Sequence, residues 1–202
     1  CRTRRSSGSA SPATVEFFVD FETVSALNDD FSTFPEKGGT ALIFMIGCGY
    51  NAGTTNQPQW QFRVFTTNHM TEIEERRIID EWISHMRKIA TSKGSNLESA
   101  TTRIFHWSAA EVSQLETAYN SARARHSQGS SWPVLPWIDL LNRVAREEPV
   151  TVRGAFGFGL KPIAKAMKQH GLIETTWGDG PTDGLGAMVG AWSCEAEAAI
   201  QG

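Results

Sequence analysis

Two carboxylates one residue apart, Asp20-Phe21-Glu22, close a run of apolar residues that begins at Val15. If that run is a strand, residues two apart project from the same face, so the two acids stand side by side. Neighbouring carboxylates repel, and desolvation at the end of an apolar strand disfavours their charged forms unless a cation offsets both costs. A hard divalent ion such as Mg²⁺ or Mn²⁺, which prefers oxygen ligands, is the natural partner. The competing reading is a strand that simply ends here, with both acids in water.

Other chemistry-bearing residues are more scattered. In Phe156-Gly157-Phe158-Gly159-Leu160-Lys161-Pro162 the glycines let backbone come near a phosphate that Lys161 would neutralise. Arg153, Lys165 and Lys168 would extend a basic strip from it. Trp107, Phe156 and Trp177 are near the proposed motifs and read either as stacking surfaces for the bases of a single strand or as core or rim packing, whereas most of the remaining Phe and Trp are expected in the core. His106 reads as a structural histidine at a strand end.

Composition limits the alternatives. The chain has 202 residues, enough for one ordinary domain, with 40% hydrophobic and 20% charged residues. A net charge of −3 does not advertise a nucleic-acid binder, but metal-dependent nucleases gather acids in their sites and keep basic strips local. No apolar stretch approaches the roughly 20 residues of a membrane span. Cys1, Cys48 and Cys194 are scattered, without paired metal spacing, which argues against a disulfide scaffold and for a cytoplasmic or other reducing compartment. Residues 1–14 (CRTRRSSGSASPAT) are small, polar and basic and read as a flexible linker or tail. With no initiator Met and no signal-peptide core, we expect residues 15–202 to be a single domain of a longer polypeptide.

The elements that must position these residues follow from periodicity. Residues 15–22 and the apolar run 41–48 (ALIFMIGC) have strand character, and 60–65 (WQFRVF) alternates like a half-exposed antiparallel strand, with a hairpin loop at 49–59. Thr71 and Glu74 form a capping box for a long helix carrying Ile78, Ile79, Trp82, Ile83, Met86 and Ile89 at helical spacing. A short strand at 103–106 precedes a second capping box, Ser108 with Glu111, whose helix runs through Leu115, Tyr119 and Ala122. A break at 127–131 leads to a short strand or turn containing Trp137-Ile138-Asp139-Leu140. A helix over 161–169 should stop at Gly171, and a last helix should begin near Asp183 and carry Leu185, Met188, Val189 and Trp192. Adjacent strands without an intervening helix predict antiparallel pairing, and the strand after the first helix predicts a parallel addition. The expected class is α/β, a mixed sheet of three antiparallel strands then parallel additions, with helices on both faces.

The order of these segments carries a resemblance. VEFFVDFET, two further strands, a helix, then Phe105-His106-Trp107-Ser108-Ala109-Ala110-Glu111, Ile138-Asp139-Leu140-Leu141, FGFGLKPIA and finally DGLGAMVGAW resemble the DEDD or DnaQ-like exonucleases of the ribonuclease-H fold. Within that group the chain is most similar to the YprB-type ribonuclease-H-like domain, often found beside RecB-family nucleases. The resemblance implies that Asp20, Glu22, Glu111 and Asp183 are catalytic and ligate two Mg²⁺ or Mn²⁺ ions, and that Lys161 contacts phosphate. It further implies a 3′→5′ exonuclease on single-stranded DNA or RNA, with helicase, polymerase or nuclease domains flanking it in the same polypeptide. Glu111 is also the N3 acid of its capping box, and Asp183 also fits a helix N-cap. Where relatives carry a catalytic His or Tyr, this chain has Gly178 and Asp179. That departure keeps two alternatives open: a catalytically silent nucleic-acid-binding or assembly module of a larger replication or repair protein, and an endonuclease of the same fold.

Overall fold

A computed structural model describes residues 15–24, 41–54, 56–107, 114–127, 131–148, 151–175 and 184–201. The chain is an α/β protein built on one five-stranded mixed sheet. Its strands are β1 (Val15–Val24), β2 (Leu42–Asn51), β3 (Trp60–Thr66), β4 (Thr102–His106) and β5 (Trp137–Asp139), arranged β3-β2-β1-β4-β5. β1–β2 and β2–β3 are antiparallel, and β1–β4 and β4–β5 are parallel, as the spacing of the strands predicts. The helices are α1 (Glu72–Ser92), α2 (Gln114–Arg125), α3 (Leu160–Gln169) and α4 (Gly184–Gln201).

Strict alternation along β1 sends Val15, Phe17, Val19 and Phe21 to one face, where they meet Ile78, Ile79, Trp82 and Met86 of α1 and Leu115 and Tyr119 of α2 in the main core. Trp82 has no exposed surface and meets the Phe21 ring edge-on at 5.3 Å. The opposite face is covered differently. There α4 supplies Ala191 to a small cluster with Val24 and Phe44, flanked by Met45 and Trp192. Helices therefore lie on both faces, and among the described residues α4 covers only part of the second.

A shift of register between Glu22 and Thr23 makes this division possible. Glu22 pairs with Met45 and Thr23 with Ile43, so Phe44 is an extra residue on β2. Ile43 and Ile46 stay in the main core while Phe44 and Met45, consecutive in sequence, both turn toward α4.

Some local expectations change. Glu74 does accept no reciprocal bond from the Thr71 N–H; Thr71 Oγ1 accepts from the Glu74 N–H at 3.3 Å, but the Glu74 carboxylate takes the Asn68 N–H at 2.7 Å and is clamped by Arg77. The predicted loop at 49–59 is shorter, because β2 continues to Asn51, whose Oδ1 accepts the Gly53 and Gln59 N–H groups. After the three-residue β5 the chain enters a π-helical turn, Leu141–Arg146. Asp139 starts that turn by accepting from the Leu141 N–H (2.9 Å) and Asn142 Nδ2 (2.7 Å). Gly171 ends α3 as expected: at φ 67° it lets its own N–H reach the Lys168 carbonyl and the Leu172 N–H reach that of Met167. Residues 1–14 and the expected Ser108–Glu111 capping box lie outside the described residues.

Candidate functional site

β1 outruns its parallel neighbour. Pairing with β4 ends at Phe18–Phe105, while pairing with β2 continues to Val24. Beyond Phe18, a cleft of about 420 Å³ opens over the sheet, and both Asp20 and Glu22 line it. The strand period thus puts the two acids on one face, as their spacing predicts.

Their surroundings are apolar. Phe18, Val64, Phe105 and Leu160 share the cleft wall with them. Asp20 reaches solvent at its surface, yet desolvation by these neighbours raises its pKa above the ordinary 3.8, opposed by the Phe21 N–H that donates to its Oδ1 at 3.1 Å. Glu22 is raised above 4.5, first by desolvation and then by the Asp20 charge, while Lys161 pulls the other way. Among the described residues no ion pair holds either acid. Two adjacent oxygen donors whose charged forms are disfavoured suit a hard divalent cation, which would remove both penalties at once. Among the described residues no group of three or more His, Cys, Asp or Glu that could hold a metal ion is present.

Lys161 sits in the first turn of α3 with its charge felt at Glu22. What holds that segment over the cleft is Trp107, just past β4. Its indole N–H donates to the Phe158 carbonyl at 3.1 Å, and Trp107 and Leu160 both line the cleft. Trp107, expected as a base-stacking residue, thereby also ties the loop before α3 to the sheet. Phe156 is 95% exposed and forms no part of the cleft wall. Arg153, Lys165 and Lys168 are exposed, also away from the wall. Glu111, Trp177, Gly178, Asp179 and Asp183 lie outside the described residues. His106 is buried at the cleft base, edge-on to Trp137 at 5.7 Å, and burial lowers its pKa.

Most of the other described Phe and Trp are core, as expected: Phe17, Phe21, Phe44, Phe65, Trp82 and Trp132 are buried, and Trp137 and Trp192 pack against the core clusters. Strand β3 holds the exceptions. Trp60, Phe62 and Val64 on β3 face the cleft side of the sheet, with Trp60 58% and Phe62 61% exposed. Phe65 is the β3 residue paired with Ile46 in the core, so the two-residue period sends the aromatic set the other way. Cys48, by contrast, is buried and its thiol is pushed up to about 12, which makes it inert.

No family model matches the chain, and no curated protein matches it. Among the described residues no helix is long and apolar enough to cross a membrane.

Proposed function

We propose that this chain is a divalent-metal-dependent nuclease with a ribonuclease-H-like sheet, cutting single-stranded nucleic acid from its 3′ end. The observation that carries the reading is the Asp20–Glu22 pair: two side-by-side acids with raised pKa values in an apolar cleft, with one lysine across from them. The strand order β3-β2-β1-β4-β5, antiparallel on one side of β1 and parallel on the other, is consistent with that fold. Direction, end preference and the participation of Glu111 and Asp183 rest on the sequence resemblance.

In this reading Asp20 and Glu22 hold Mg²⁺ or Mn²⁺ in their ionised forms. Bound ions of this kind activate water and stabilise the charge that develops on the leaving oxygen of an in-line displacement. Lys161 draws a phosphate toward the acids and offsets its charge. The apolar walls lower the local polarity on one side of the acids and so strengthen these interactions.

The test uses 3′-labelled and 5′-labelled single-stranded DNA and RNA with Mn²⁺, Mg²⁺ or EDTA, and Asp20→Asn protein run alongside. Metal-dependent shortening from the 3′ end, lost in the variant, is the expected result. Cleavage of a circular single strand would convert the reading to an endonuclease. No cleavage by folded protein with either metal would sink it in favour of a silent binding module.

A further inference from the structure

The cleft continues past the two acids as a strip of rings. Trp60 lies 5.4 Å from Phe18, and Phe18 lies 5.2 Å from Phe105, so aromatic surface runs from β3 across the sheet to β4. Glycines create the room for it. Gly47 and Gly49 occupy the cleft-facing positions of β2 opposite Val64 and Phe62. A Cβ on Gly49 would collide with the Trp60 ring, and one on Gly47 would come within 3.1 Å of Phe62. The two rings therefore lie down over a trough of bare backbone rather than standing away from it. They remain more than half exposed, an unusual fate for the largest apolar side chains of a strand.

The strip and the acids share one cleft, and their spacing is fixed by β1. Phe18 and Asp20 project from the same face two residues apart, about 7 Å along the strand. A group with a flat apolar face joined to an anion at that range fits this layout: π-surface on one side, cation-seeking acids and Lys161 on the other. We propose that Trp60, Phe62 and Phe18 form a stacking subsite for an unpaired nucleobase of a strand whose phosphate is drawn by Lys161 and, in the reacting complex, by the cation that Asp20 and Glu22 would hold. The proposal rests on the nuclease reading and extends it, because it assigns base recognition to β3. Stacking on ring faces tolerates every base, so the subsite selects unpaired over paired bases and not one sequence over another.

The test measures binding of a fluorescent 12-mer of thymidine and of the same backbone made abasic, in EDTA so that nothing is cut. The wild-type 202-residue chain is compared with Trp60→Ala/Phe62→Ala and with Gly49→Ala, which displaces the Trp60 ring without removing it. Both rings are exposed, and thermal melting verifies that the variants fold. Wild type should bind the base-bearing strand about tenfold more tightly than the abasic one, and both variants should lose that preference while keeping affinity for the abasic backbone. Equal binding of the two strands by wild type, or an undiminished preference in both variants, would overturn the subsite. If wild type shortens labelled strands with metal but shows no base preference, the subsite fails and the nuclease stands. Base preference without any cleavage retains the subsite and removes the nuclease. Self-association that the double variant abolishes, with no strand bound, would instead make this face a contact between two copies.

Discussion

Two sets of acids sit in apolar surroundings on opposite faces of the same sheet, and they are treated in opposite ways. On the α1 side, Glu75 has no exposed surface and every charge it carries is answered. It accepts the Ile43 N–H at 2.8 Å, a two-pronged pair of bonds from Arg125 at 3.0 and 3.1 Å, and lies 2.8 Å from His126 Nε2. This carboxylate joins α1, α2 and β2. On the cleft side, Asp20 and Glu22 have one backbone N–H and a distant lysine between them. The first arrangement is complete within the chain and serves the fold. The second is left open by the described residues, and in the proposed reading a bound cation completes it. Burial of an acid is thus uninformative by itself; what its neighbours leave undone identifies a site.

The contrast breaks most sharply by mutation. Glu75→Ala leaves Arg125 without its carboxylate and should cost about 3–5 kcal/mol in urea denaturation. Asp20→Asn should cost nothing in the metal-free protein. The sign follows from linkage. The folded-state pKa values of Asp20 and Glu22 lie above their ordinary values, so metal-free stability falls as pH rises from the ordinary carboxylate range through those raised values, and stays lower above them. Removing one acid flattens that fall, which pH-dependent melting will detect.

Metal sharpens the comparison next. At one hundred times its dissociation constant, Mn²⁺ or Mg²⁺ should stabilise wild type by about 2.7 kcal/mol and Asp20→Asn/Glu22→Gln hardly at all, by calorimetry. Because only the ionised acids bind, this gain should begin to decline as the pH falls through the raised pKa values of the two acids. Trp107→Phe removes the bond to Phe158 and should cost about 1 kcal/mol, with weaker binding of oligonucleotide as the α3 segment loosens. Smallest is Lys161→Ala. Since Lys161 lowers the Glu22 pKa, its loss should move the onset of metal binding to higher pH, followed by titration at fixed Mn²⁺.

The sheet was legible where burial is one-sided or complete. The run through Phe17, Val19 and Phe21 and the helical repeat of Ile78, Trp82 and Met86 leave little choice of element. The Asp20–Glu22 pair was legible for the same reason, since the strand period alone puts both on one face. What escaped is set by pairing partners far away in sequence. That Trp60 and Phe62 turn from the core depends on the pairing of Phe65 with Ile46, which no local pattern reports. One signal was present: glycines at 47 and 49, alternating within an apolar strand, mark a place where something else must lie on the backbone. The π-helical turn after Asp139 likewise depends on Asp139 holding Leu141 and Asn142, and its sequence reads equally well as the end of a strand.

The extra residue Phe44 has a consequence for how the molecule comes apart. It gives α4 its seat, which among the described residues is Val24, Phe44 and Ala191 with Leu42, Met45, Met70, Ala187 and Trp192 packed against them, a smaller cluster than the one that binds α1 and α2 to the sheet. The free energy of lifting α4 alone is therefore well below that of global unfolding, and its amides should exchange with solvent through a partial opening that leaves the main core shut. Met45 belongs both to that seat and to the cleft wall. An opening of α4 would therefore be felt at Met45 and, through it, at the wall of the cleft beside Glu22.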